Sequence, residues 1–178
     1  MLEIWTIGHS TRTLEEFVAL LMQQDIKLLA DIRTVPFSRH NPQFGQDLLP
    51  ASLNDAGIRY LHLKGLGGLR KKARESVSLG WRNQSFRNFA DYMQTPDFEA
   101  ALLDLIALAE KERTCIMCAE AVPWRCHRSL VGDALMVRGV KVHDIISHTA
   151  VKDHELTSFA VLSGKHVTYP LPEEEPPA

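Results

Sequence analysis

Short apolar runs alternate along the chain with segments whose apolar residues recur at helical spacing. That pattern predicts an α/β fold with a mainly parallel central sheet. The first run, Glu3 to Ile7, predicts a strand that closes at Gly8. Thr13 with Glu16 fits a capping box, and Leu14, Phe17, Val18, Leu20 and Leu21 give the following helix an apolar face. Lys27–Ile32, Ile58–Leu63, Arg113–Cys118 and Val140–Ile146 predict the next four strands. Leu48–Ala56 predicts a helix stopped by Gly57, and Gln84–Met93 a second helix. Thr95-Pro96-Asp97 supplies an N-cap, a proline at the first helical position and an acidic first turn for a helix reaching Glu112. A last helix is expected from Cys126 to Arg138, ending at Gly139.

Together these elements predict a single three-layer domain over residues 1–160, with a sheet of about five strands. An extended piece near His166–Tyr169 follows. The 161–178 region ends in an acidic, proline-rich tail. No internal repeat is present.

Two predicted connections are long for a compact domain, residues 33–47 and 64–83, and long connections are commonly functional. The second is basic. From Lys64 to Arg87 seven Lys and Arg residues accompany one acid, Glu75. The whole chain carries a formal charge of −2, so it is no polycation, and a nucleic-acid role would have to use this local patch. A hydrophobic fraction of 45% over 178 residues is enough for a core without disulfides. The opening MLEIWTIGHS lacks the pattern of a secretory signal, and the apolar runs are too short to span a membrane. Three cysteines, an odd number, do not form a disulfide framework, which points to a reducing cytoplasm.

Ligands of parallel α/β sheets bind beyond the carboxyl ends of the strands. Gly8-His9-Ser10-Thr11-Arg12 follows the first strand, and Asp31-Ile32-Arg33 closes the second. His62-Leu63-Lys64 closes the third, Cys118-Ala119-Glu120 closes the fourth, and Cys126-His127-Arg128 opens the last helix. The convergence of reactive and cationic groups at one edge is the functional signal. Cys118 and Cys126 are the candidate nucleophiles or redox thiols, Cys126 with a helix N-terminus, His127 and Arg128 to favour its thiolate. The plainer alternative is two small buried residues packing a turn. Cys115, inside a strand and on its other face, is a core residue. His9 is a candidate proton shuttle or a loop hydrogen-bonder. Asp31 and Glu120 are candidate general bases, or acids that orient guanidinium groups.

Ser10 and Thr11, ahead of a helix N-terminus, with Arg12, Arg33, Arg39, Lys64 and Arg128, form a candidate anion site. Pairing of those arginines with Asp31 and Glu120 is the structural alternative. A metal site would need Cys118 and Cys126 completed by His9 or His62, and the spacing does not match a zinc knuckle. A phosphatase loop is excluded because Trp124, not an arginine, stands six residues after Cys118. Gly65-Leu66-Gly67-Gly68 matches neither a Walker loop nor a dinucleotide fingerprint. Trp81 and Phe86 interleave with Arg82 and Arg87, either as a base-stacking platform or as core.

The blocks TIGHSTRTLEEF (6–17), LADIRTVPFSRHNPQF (29–44), YLHLKGLGGLR (60–70) and CAEAVPWRCHRSLVGDAL (118–135) resemble the ordered motifs of the "domain of unknown function 488" family. The resemblance spans about residues 2–160 and is most specific in Cys118-x-Glu120-x5-Cys126-His127-Arg128. It implies a small bacterial or archaeal cytoplasmic α/β protein and assigns no reaction and no cofactor.

Three functions follow as expectations. The first is an enzyme for an anionic, phosphate-bearing small molecule or nucleotide, built on a cysteine thiolate and an arginine cluster. The second is a non-catalytic module binding nucleic acid or another anion through residues 64–87, with Lys71, Lys72 and Arg74 at its centre. The third is a metal-dependent hydrolase.

Overall fold

In the computed structural model, which describes residues 1–173, six strands form a sheet in the order β3-β2-β4-β1-β5-β6. The strands are β1 (Glu3–Gly8), β2 (Leu28–Asp31), β3 (Arg59–His62), β4 (Thr114–Cys118), β5 (Lys141–Ser147) and β6 (Ala150–Asp153). The first five run parallel, and β6 turns back antiparallel along β5. Two further strands, β7 (Val161–Ser163) and β8 (His166–Thr168), make a separate hairpin. The five helices are α1 (Leu14–Gln23), α2 (Leu49–Asp55), α3 (Gln84–Tyr92), α4 (Pro96–Lys111) and α5 (Arg128–Met136).

The helices sandwich the sheet in three layers. Phe17, Leu20 and Leu21 of α1 and Leu49 and Leu53 of α2 pack with Trp5, Ile7, Leu29, Cys115 and Met117 on one face. Phe89 of α3, Leu102 and Leu105 of α4 and Leu130 and Val131 of α5 pack with Ile4, Ala30, Ile116 and Cys118 on the other. Cys115 and Cys118 therefore face opposite layers, as strand alternation requires.

This topology fixes where a ligand can enter. The chain leaves β1 over β4 to reach β2, and leaves β4 over β1 to reach β5. Those crossovers run in opposite directions, so the carboxyl ends of β1 and β4 form a switch point with a crevice between the diverging loops. Gly8 pairs in register with Cys118 there. The ladder continues one step beyond, with the His9 and Ser10 amides donating to Cys118 O and Ala119 O.

Local signals set several helix starts. Thr13 Oγ1 accepts the Glu16 amide, and Thr95 Oγ1 accepts the Phe98 amide with Pro96 next in line. The last helix begins later than its sequence predicts. Pro123–Arg125 forms a short 3-10 turn, Cys126 is extended, and α5 starts only at Arg128. Cys126 thus precedes the helix rather than sitting in its first turn, immediately before the His127 N-cap. The return strand β6 and the strand β7 were not predicted, and β8 lies within the extended piece expected near His166–Tyr169. Of the acidic tail, residues 174–178 lie outside the described residues.

Candidate functional site

A cleft of about 390 Å³ opens beside the switch point, beyond the carboxyl ends of β2 and β4. Cys118, Ala119, Glu120, Arg125, Cys126 and His127 form one side of it. Arg33, Thr34, Val35, Phe37, Gly68, Leu69, Ser85 and Phe86 form the other. It is therefore built by the loops after β2 and β4, with the start of the 64–83 connection and α3 as a wall.

Cys118 and Cys126 are joined as a disulfide across the turn between β4 and α5. Each sulfur has a distinct neighbour. Arg128 is fully buried, and its Nη1 donates to Cys118 Sγ at 2.8 Å. The same guanidinium donates to Glu120 O, Ala121 O and Thr6 Oγ1, so it also clamps the 118–121 turn onto β1. Burial lowers its pKa to about 10, which leaves it charged at neutral pH. Among the described residues no carboxylate pairs with it. Asp144 is the carboxylate that acts on it most strongly, linked through Thr6, whose hydroxyl donates to Asp144 and accepts from Arg128.

Cys126 Sγ lies 3.5 Å from His127 Nδ1. The His127 Nε2–H is anchored by two carbonyls, Ile32 O and Leu66 O, each at 3.0 Å. That fixes the tautomer and turns the Nδ1 lone pair toward the sulfur. Burial pulls the His127 pKa down to about 4, so the ring is neutral and a weak base whose Nδ1 serves as a hydrogen-bond acceptor.

The acids and the other imidazole form a second group behind the cleft. Asp31 takes Arg33 in a two-point contact and also accepts the Tyr60 hydroxyl at 2.5 Å. Burial first, then contact with Asp31, pushes the Tyr60 pKa up, so the phenol stays a donor. Arg33 further donates to Phe44 O and reaches His9 Nε2 at 3.4 Å. His9 Nδ1 donates to Ser10 O, and its ring stacks on Phe44. Burial lowers the His9 pKa, which suits this neutral arrangement.

The remaining residues of the expected anion site divide. Arg33 reaches the cleft. Arg12 donates to Gly8 O and Ile146 O and so ties the ends of β1 and β5 together. Ser10 and Thr11 do not line the cleft, and neither do Arg39 and Lys64, which are exposed. Lys71, Lys72 and Arg74 are exposed on the connection before α3. Among the described residues no group of three or more His, Cys, Asp and Glu side chains converges as a metal site. No helix of the described residues is long and apolar enough to cross a membrane.

The sequence pattern of the family described as "Domain of unknown function DUF488" matches residues 13–135. The chain belongs to this family. Comparison with curated proteins and with solved structures finds no match. The matched stretch of this DUF488 chain carries every cleft-lining residue, from Arg33 to His127.

Sequence reasoning missed two partners in this DUF488 site. Tyr60 reads as an ordinary strand aromatic, and its role appears only when β3 is placed beside β2. Arg125 reads as a surface cation, yet it lines the cleft. A further buried network also escaped notice. His154 donates to Asp144 and Asp133, Thr6 donates to Asp144, and Tyr169 donates to Asp133. No local spacing links residues so far apart in the chain.

Proposed function

We propose that this protein is a thiol-dependent enzyme acting on an anionic, phosphate-bearing small molecule or nucleotide. The observation that supports it is the meeting of two dissimilar sulfurs in one open cleft, Cys118 against Arg128 and Cys126 against His127. Cleft volume is in the range of small-molecule sites. Val35, Phe37, Leu69 and Phe86 offer an apolar wall for a flat group, and Arg125 faces the charge. Asp31 and Tyr60 hold Arg33 in place, and the neutral His127 accepts a hydrogen bond from the Cys126 thiol. A reducing cytoplasm would keep the dithiol form available.

Ligand protection tests this reading. The reduced full-length protein is alkylated with iodoacetamide at pH 7, with and without millimolar nucleotides, pyrophosphate or inorganic phosphate. A phosphate-bearing ligand should slow modification of Cys118 and Cys126 about tenfold while Cys115 stays inert. Equal rates with and without every such ligand would refute the phosphate-bearing class.

A non-catalytic nucleic-acid module has one observation in its favour. Lys71, Lys72, Arg74 and Arg82 are all exposed, and none is in an ion pair among the described residues. If this reading holds, single-stranded oligonucleotides bind with a steep salt dependence, and Lys71→Ala with Lys72→Ala removes the binding without changing thiol reactivity.

A further inference from the structure

We propose that the Cys118–Cys126 bridge is an electron acceptor for a low-molecular-weight anionic thiol, which attacks at Cys126 and expels Cys118 as a thiolate. This rests on the thiol-enzyme reading above and assigns it a reaction class and a substrate chemistry.

Two adjacent thiols are poorly suited to hydrolysis. A covalent intermediate on one sulfur would be captured by the other before water arrived. Among the described residues no carboxylate is placed to activate a water at either sulfur. Asp31 is engaged by Arg33 and Tyr60, and the Glu120 side chain is exposed while its carbonyl accepts from Arg128. The same pairing is what a dithiol–disulfide couple requires.

The asymmetry of the pair sets the direction of attack. Both residues are buried and line the cleft, Cys118 at 1% exposure and Cys126 at 6%, so Cys126 is the more accessible residue for attack. In thiol–disulfide exchange the sulfur with the better-stabilised thiolate leaves faster. Cys118 is that sulfur, since the buried Arg128 guanidinium donates to it. Departure of Cys118 places the new thiolate against the Arg128 guanidinium, which stabilises it as a leaving group.

The electrons balance without any further reactant. The substrate thiol loses its proton to solvent, and its sulfur bonds to Cys126 Sγ. The Cys118–Cys126 bond breaks, and Cys118 keeps the electron pair beside Arg128. A second substrate thiolate, its proton also released to solvent, then attacks the substrate sulfur of the mixed disulfide. Cys126 leaves as a thiolate and takes a proton from solvent. Two substrate thiols become one disulfide, and the protein gains two electrons.

The cleft indicates the substrate's charge. Arg125 is exposed and unpaired among the described residues and lines the cleft, while Arg33 is already neutralised by Asp31. A thiol carrying phosphate or carboxylate groups would be drawn to this mouth, and a cationic thiol repelled.

The test uses full-length protein oxidised to the bridged form and freed of oxidant. Under anaerobic conditions it meets coenzyme A, glutathione or cysteamine, and mass spectrometry counts maleimide-accessible thiols. Coenzyme A or glutathione should open the bridge about tenfold faster than cysteamine at low salt, an advantage lost in Arg125→Gln. Acid-quenched wild-type samples should carry the substrate on Cys126. Cys118→Ser exposed to the substrate disulfide should retain the same adduct. Phosphate dependence is read from coenzyme A against glutathione. Failure of the bridge to form, reduction by cysteamine at the same rate, or an adduct on Cys118 would each overturn the proposal. If the bridge resists every thiol while phosphate ligands still shield the reduced cysteines, the redox assignment fails alone. If the anionic thiols react and no phosphate ligand gives protection, the phosphate-bearing class fails and the redox assignment stands.

Discussion

The Arg128 Nη1 donates to Cys118 Sγ across 2.8 Å inside a fully buried pocket, with no carboxylate paired to that guanidinium among the described residues. Asp144, linked through Thr6, gives this guanidinium an opposing charge in either redox state. A bridge closing so short a loop stabilises a fold by roughly 2–3 kcal/mol in the chain-entropy view. Reduction of the bridge should therefore lower the melting temperature. Calorimetry of the two forms checks this, and an unchanged or raised value would contradict it.

The His154 network predicts a loss of stability at alkaline pH. Burial lowers the pKa of this ring, but hydrogen bonds to Asp133 and Asp144 outweigh it and hold the value at about 9. The folded value lies above the ordinary 6.5 of histidine. The stabilisation is therefore complete below about pH 6.5 and fades as the pH rises through about 9, by an amount on the order of 3 kcal/mol. Denaturant midpoints measured from pH 6 to pH 10 should fall across that window. His154→Gln should be less stable at pH 6 and show a flatter profile.

Gly68 leaves room for the imidazole of His127. A Cβ there would lie 2.6 Å from His127 Nδ1, the atom that faces Cys126. The ring cannot retreat without breaking its bonds to Ile32 O and Leu66 O. Gly68→Ala should destabilise the fold by about 1–3 kcal/mol. It should also slow Cys126 alkylation at pH 7 about tenfold with Cys118 little changed.

Tyr60 steadies Arg33 through Asp31. Tyr60→Phe removes the hydroxyl that Asp31 accepts and should cost about 1 kcal/mol of stability. Chemical denaturation measures that loss. Ligand affinity at the cleft should weaken by a few-fold, since the Arg33 guanidinium is less firmly aimed. A change in stability with no change in affinity would restrict Tyr60 to a packing role.

How far the sequence could be read depended on whether a feature was local. Thr13 with Glu16, and Thr95 with Pro96, announce helix starts within four residues, and both caps form. The five parallel strands are short apolar runs and were legible, with ends shifted by a residue or so. The sequence Ala150-Val151-Lys152-Asp153 lacks a strand-like alternation, so β6 became visible only as the return from β5. Strand ends drew attention to Cys118, Cys126 and Arg33, which share the cleft. Counting cations could not show that Arg12 and Arg128 turn to backbone carbonyls, because a guanidinium satisfies a carbonyl as readily as an anion. The partners of His127, Ile32 O and Leu66 O, are set by the packing of three separate segments and leave no trace in spacing.

At Gly8 an added Cβ would fall 1.5 Å from Glu120 O. The backbone after β4 thus lies directly on β1, a strand wholly outside the 13–135 stretch shared with the family. β1 also sits between β4 and β5 in the sheet. Excising the shared stretch would strip β4 of its neighbour and leave a raw hydrogen-bonding edge beneath the sulfurs. The opening hexapeptide is therefore the keystone of a centre to which it lends no reactive group.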